Sequence, residues 1–196
     1  LAARHPVVEP VVDSFVDGTA VSRVGDRPFE VVRALVDQVI AVPEGAVCTE
    51  MLDLYQSDGV IAEPAGALAT AALRYLPDLG EGAVTCLVSG GNNDLSRYAE
   101  VTERSLRHEG LRHYFLVTFP QQPGALRVFL EDVLGKGDDI VHFEYTKKNN
   151  RETGPAVVGI DLSQADDIDG LRRRMEASPL HVEEISAGSE LFRLII

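Results

Sequence analysis

The chain has 196 residues, 45% hydrophobic and 25% charged, with a formal net charge of −13; this is the profile of one large or two small globular domains. Residues 1–110 hold 17 acids against 8 bases and residues 111–196 hold 14 against 10, so both halves repel phosphodiester backbones, which argues against nucleic acid as a partner. No apolar run approaches the ~20 residues that span a bilayer, which argues against a membrane segment, and the first ten residues carry no signal pattern.

In chain order, residues 1–110 read as helices alternating with short buried strands. Phe29, Val32 and Val36, with Leu35 and Val39 beside them, form a helical stripe. Gln38 to Val42 then passes into a strand stopped by Pro43. Val47, Met51, Leu54 and Tyr55 mark a second helix, which Gly59 closes in a left-handed cap. Pro64 is placed to open an Ala-rich third helix with Ala65, Leu68, Ala69 and Ala72 on one face. Ala83 to Val88 is apolar on both faces apart from Thr85, as in a strand covered on both sides. It ends in Ser89-Gly90-Gly91, and Asp94 caps a helix running to about His108. In open α/β sheets the ligand sits beyond the carboxyl ends of the strands, which is where this turn falls.

After Glu109-Gly110 the pattern changes. His113 to Phe119 alternates as a strand, and Leu126, Phe129, Leu130, Val133 and Leu134 form a helical stripe. Strands are expected at Ile140 to Thr146 and Ala156 to Leu162, joined by a polar hairpin from Lys147 to Gly154. Ile168, Leu171 and Met175 mark a helix, Leu180 to Ile185 a strand, and Leu191 to Ile196 a last strand. The order β-α-β-β-α-β is the ferredoxin-like arrangement. Arg172-Arg173-Arg174 on a helix points three ways and reads as a solvated face. No histidine has a partner at i, i+4, so no metal site is assigned. Cys48 and Cys86 read as reduced core thiols, a pattern expected of a cytoplasmic protein.

Five motifs carry a resemblance. Asp17-Gly18-Thr19-Ala20-Val21-Ser22-Arg23-Val24-Gly25, Ala62-Glu63-Pro64-Ala65-Gly66-Ala67, Ser89-Gly90-Gly91-Asn92, Arg97-Tyr98 through Glu103-Arg104, and Pro123-Gly124-Ala125-Leu126-Arg127 resemble, in the same order, segments of biosynthetic threonine dehydratases (threonine ammonia-lyases). The resemblance implies an α/β fold: the C-terminal part of a fold-type-II pyridoxal-phosphate catalytic domain over residues 1–110, then an α+β ferredoxin-like (ACT-like) regulatory domain over residues 111–196. It implies conversion of L-threonine to 2-oxobutanoate and ammonia in isoleucine biosynthesis, with isoleucine lowering activity and valine opposing it, in a homo-oligomer that is a tetramer in the family. The family's cofactor is held by a lysine Schiff base, yet the only lysines are Lys136, Lys147 and Lys148. No catalytic residue is therefore assigned within the chain. It is expected to be the back half of an enzyme whose covalent anchor lies upstream, and alone to be inactive, an amino-acid-sensing fragment being the alternative.

By the same resemblance the Ser89 hydroxyl meets the pyridine nitrogen of the cofactor. Read from residue type alone, Ser89 only turns the chain before glycine. Gly90 admits either the ring or a turn, Gly18 offers backbone beside the ring, and Glu63 is either a cofactor neighbour or a helix-capping carboxylate. Asn92 and Asn93 are turn residues by default. In the second segment Gly124 and Ala125 open a helix whose free N–H groups suit an effector carboxylate. Phe143 and Tyr145 share a strand face and line an aliphatic pocket, against a plain reading as core packing.

Overall fold

The computed structural model describes residues 3–10, 13–76, 79–91, 93–145, 152–186 and 188–195. Asn92, Lys147 and Lys148, and most of the expected hairpin connection, lie outside the described residues. The chain divides into two compact units, Leu1–Ser105 and Leu106–Ile196.

The first unit is helical. Helix α1 (Asp26–Leu35) carries Pro28 in its first turn, where a missing N–H costs nothing. It ends when Val36 turns extended, so the expected stripe stops there and only Phe29 is buried. Helix α2 (Glu44–Asp58) starts after Pro43 and stops at Gly59, whose φ of 67° and ψ of 22° form the expected left-handed cap. From its buried face, Val47, Cys48 and Met51 join Phe15, Ala62, Ala67, Ala71 and Val101 in one core. The Ala-rich helix does not begin at Pro64. Residues 64–67 form a turn, α3 covers only Leu68–Ala71, and a 3-10 turn continues over Ala72–Tyr75. Pro64, Ala67 and Ala71 are buried, while Ala65, Leu68, Ala69 and Ala72 are intermediate, so the packed face is displaced from the expected one. Asp94 accepts from the Ser96 N–H at 2.9 Å, opening a 3-10 turn (Leu95–Arg97) that runs into α4 (Tyr98–His108). Inside the core the Thr49 and Ser105 hydroxyls meet at 2.9 Å and tie α2 to α4.

The two strands expected in this unit are absent from it. Residues 38–42 and 83–88 have no ladder, and Val84 and Leu87 are exposed. A strand apolar on both faces needs hydrogen-bonded neighbours and covering layers, and the described residues of this unit supply no strand for either segment to pair with.

The second unit follows the expected order. Strand β1 (Arg112–Pro120) leads to α5 (Ala125–Val128), which continues as a wider π-type turn over Phe129–Val133. Strands β2 (Asp139–Tyr145) and β3 (Thr153–Asp161) follow, then α6 (Ile168–Ala177) and β4 (His181–Glu184). All pairings are antiparallel in the order β2-β3-β1-β4, the ferredoxin-like order. Phe115 and Phe143 both sit opposite Val158, and a bulge interrupts β2 between Ile140 and His142. Phe115, Val117, Phe119, Val158 and Ile160 from the sheet pack with Phe129, Val133, Leu171 and Met175 from the helices. The arginine run divides: Arg172 pairs with Glu184, Arg173 is exposed, and Arg174 is half-buried on Asp138 at 2.7 Å and the Val133 carbonyl at 2.6 Å.

Among the described residues, the last strand expected over Leu191 to Ile196 does not form. Residues Glu190–Ile195 form helix α7, opened by the Ser189 hydroxyl, which accepts from the Phe192 N–H at 3.1 Å. Phe192 packs edge-on against Tyr114 at 5.6 Å and lies 4.1 Å beneath the Arg107 guanidinium, so the segment covers the sheet face that carries Tyr114 and Val157. Among the described residues no helix is long and apolar enough to cross a membrane.

Candidate functional site

Three segments far apart in sequence converge in the first unit. The Ser89-Gly90 turn lies on the turn at residues 62–67, joined by a 2.9 Å hydrogen bond from the Glu63 N–H to the Gly90 carbonyl. Gly90 has φ of 69°, a conformation that suits glycine. A Cβ there would collide with the Glu63 carboxylate. Gly66 packs flush against the Ser89 backbone: a Cβ on Gly66 would run into the Ser89 carbonyl. The third segment is the Asp17-Gly18 turn, in which Asp17 Oδ1 accepts from the Gly18 N–H at 2.8 Å. A Cβ on Gly18 would lie 2.9 Å from the Ala65 Cβ and 3.9 Å from Glu63 Oε1. Glu63 thus sits between Gly90 and Gly18.

The structure therefore brings Ser89, Gly90, Gly18 and Glu63 to one place. Ser89 is exposed. Glu63 does not open a helix directly, because α3 starts only at Leu68; its carboxylate lies against the two glycines instead. Asn93 anchors the far side of the turn, donating to the Ala62 carbonyl at 3.4 Å, with its Oδ1 buried and unpartnered among the described residues.

Two features were missed at sequence level. Gly66 stands inside a quoted motif, but nothing in a glycine's identity tells close approach from an ordinary turn. The second feature is the anchoring of residues 13–16 by Arg97 and Arg104, which lie more than 80 residues away. Cys48 is not a nucleophile of this site, since burial pushes its thiol up to about 12 and only the thiolate reacts.

The second unit carries a cavity of about 730 Å³ between the start of α5 and the end of β2, within the range of small-molecule pockets. Gly124, Ala125, Phe143 and Tyr145 all line it, with Phe119 and Leu130. Gly124 has φ of 91° ahead of the first helical residue, Ala125. The Phe143 and Tyr145 rings meet Phe119 edge-on at 6.2 and 6.0 Å and stay exposed, so neither is sealed into the core.

Comparison with known proteins gives two family matches. Residues 1–90 match the model for "Pyridoxal-phosphate dependent enzyme" and residues 103–195 the model for "C-terminal regulatory domain of Threonine dehydratase". The chain is 58% identical over 198 residues to the biosynthetic L-threonine dehydratase of Mycobacterium tuberculosis, covering 100% of the chain and 46% of that relative. The Corynebacterium glutamicum counterpart is 55% identical over 193 residues, with 96% and 44% covered. The Bacillus subtilis one is 51% identical over 195 residues, with 99% and 46% covered. The chain spans about half the length of the curated relatives it matches.

Proposed function

The chain belongs to the threonine dehydratase family, with a pyridoxal-phosphate-dependent enzyme segment at residues 1–90 and a C-terminal regulatory domain at residues 103–195, and from that premise we propose that it serves an enzyme deaminating L-threonine to 2-oxobutanoate and ammonia. In this reading residues 1–110 complete the catalytic domain, residues 111–196 bind isoleucine and valine as opposing effectors, and the enzyme is a cytoplasmic homo-oligomer working in isoleucine biosynthesis.

The observation that carries the reading is the meeting of Gly18, Glu63, Gly66, Ser89 and Gly90. The donor set fits the ring end of pyridoxal phosphate. Gly66 and Gly90 let the Ser89 backbone and the Glu63 carboxylate close up on the turn with no Cβ in the way, and Ser89, an exposed residue, carries a neutral hydroxyl. Ser89 would take the pyridine nitrogen, Gly90 and Gly18 would border the ring with backbone, and Glu63 would hold the two turns beside it. When bound, the cofactor supplies the electron sink that acidifies the substrate's α-proton and lets its β-hydroxyl depart. A neutral hydroxyl at Ser89 does not hold the ring nitrogen protonated as a carboxylate would. The sink is moderated accordingly, which suits elimination over reactions needing a long-lived carbanion. The covalent lysine anchor is supplied from outside residues 1–135, which contain none.

In the regulatory segment, the Gly124 N–H ahead of α5 would take the effector's carboxylate, the Ala125 N–H being donated to the Gln122 carbonyl at 3.4 Å, and Phe143 and Tyr145 would take its aliphatic side chain. Inhibition then requires isoleucine to bind two states of the assembly unequally. A second reading, that the 196 residues alone sense a branched amino acid without turnover, is favoured by the cavity being formed wholly from residues 119–145.

The test uses the full-length protein. Ser89→Ala should lower threonine turnover by about two- to tenfold, as loss of one hydrogen bond between neutral groups does, and should shift the visible band of the bound cofactor. A Ser89→Ala enzyme with unaltered turnover and spectrum sinks the assignment of Ser89.

A further inference from the structure

The Asp17-Gly18 turn belongs to no regular element; the nearest is α1, which begins at Asp26. A loop that borders a ligand must be held by contacts from elsewhere, and Phe15 supplies the place where it is held. Phe15 is 3% exposed. The Arg104 guanidinium lies 4.4 Å from the ring centroid and that of Arg97 5.1 Å. Arg97 Nη2 also donates to the Phe15 carbonyl at 2.8 Å. Arg104 donates to Asp13 Oδ2 at 3.1 Å, to Glu44 Oε2 at 2.6 Å and to Glu100 Oε1 at 2.9 Å. Asp13 Oδ1 in turn accepts from the Phe15 N–H at 2.8 Å.

Plain core packing does not account for this arrangement. Apolar burial is non-directional and an aliphatic lining would satisfy it. Here the two cations covering the ring also bond the strap itself, one to its backbone and one to its carboxylate, so ring, carbonyl and side chain are fixed together. Beyond Phe15 the chain has little slack. The Thr19 N–H donates to the Val16 carbonyl at 3.0 Å and closes the turn, and Gly18 already meets Ala65 on its other side. The three residues from Phe15 to Gly18 reach at most about 10 Å, so a displaced ring displaces the turn.

We propose that Phe15, clamped by Arg97 and Arg104, positions the Asp17-Gly18 turn against the cofactor ring. These are positioning residues, acting through Gly18 without touching the cofactor, and the assignment rests on the reading of the site given above.

The test uses the full-length protein carrying Phe15→Leu, which keeps apolar bulk but loses the aromatic face, and Phe15→Tyr, which keeps it. Three quantities are read: the Tm of the cofactor-free protein, the Kd for pyridoxal phosphate by absorbance titration, and the visible circular dichroism of the bound cofactor. Phe15→Leu should raise Kd about tenfold, in line with a sub-ångström misplacement, and weaken the dichroic band. Its cofactor-free Tm should stay within about 4 °C of the parent. Phe15→Tyr should restore affinity and dichroism. If Phe15→Leu does not fold, Arg97→Lys, which keeps the charge and loses the planar stack, carries the same expectations. Unchanged Kd and dichroism in the variants overturn the clamp, as does a loss that tracks Tm and is not rescued by tyrosine. A parent protein that does not bind pyridoxal phosphate overturns the site reading itself.

Discussion

Gly66→Ala adds one methyl group where backbone meets backbone. The new Cβ would collide with the Ser89 carbonyl oxygen and lie 2.7 Å from its carbon and 3.2 Å from its nitrogen. Ordinary contact between carbons is about 3.5–4.0 Å, so the Ser89 carbonyl carbon must retreat by at least roughly 0.8 Å, and its oxygen, the nearer atom, by more. No flexible side chain is available to give way. The retreat pulls on the bond from the Glu63 N–H to the Gly90 carbonyl, so the overpacking cost of about 1–3 kcal/mol falls on the turn that presents the hydroxyl. A misplacement of about 1 Å can cost ~10²-fold in rate. Full-length Gly66→Ala should therefore lose about ten- to a hundredfold in turnover of threonine, with weaker retention of pyridoxal phosphate. Following 2-oxobutanoate formation and cofactor absorbance together measures both. A variant within twofold of the parent on both counts refutes the close approach of Gly66 to Ser89.

Asp13→Asn should destabilise the protein near neutral pH. Burial pushes the Asp13 carboxyl up, but the Phe15 N–H and the Arg104 guanidinium outweigh it and hold it below its ordinary value. Its contribution is therefore present above the unfolded pKa of about 3.9 and lost as pH falls through the lower folded value; urea unfolding across pH should show the asparagine penalty shrinking below about pH 4, and a penalty that grows there contradicts the pairing. Phe129→Ala should cost about 3–5 kcal/mol, since Phe129 is fully buried and edge-on to Phe119 at 5.6 Å; a denaturation midpoint close to the parent's rules out its place in the core. Tyr145→Ala should weaken isoleucine binding about tenfold by calorimetry, as loss of an aromatic contact to the ligand does, and an unaltered isotherm removes Tyr145 from the proposed effector pocket.

The regulatory half was largely legible in the sequence because its contacts are internal. The alternation in β1 and the stripe of Phe129, Val133, Leu171 and Met175 meet each other in one core, so pattern and packing agree. The last element misled: six residues rich in leucine and isoleucine suit either period, and the deciding signal was the Ser189 hydroxyl that caps α7. In the first half, the apolar runs at 38–42 and 83–88 read as strands, yet a strand depends on neighbours that composition cannot reveal. Helix α2 and its Gly59 cap were legible because capping is local. The candidate site was half legible. Ser89, Gly90, Gly18 and Glu63 came from motifs, whereas Gly66 against Ser89 and Phe15 beneath Arg104 are tertiary approaches that no spacing rule encodes.

The Thr49–Ser105 pair has an evolutionary consequence. The two buried hydroxyls meet at 2.9 Å, and Thr49 also donates to the Gly45 carbonyl at 3.2 Å. Thr49→Val alone strands the serine oxygen and forfeits about 1–3 kcal/mol, whereas converting both positions to apolar residues of the same shape can be nearly neutral. Descendants of this sequence must cross that barrier in two steps or not at all, so the two positions are expected to change in concert, each historically contingent on the other.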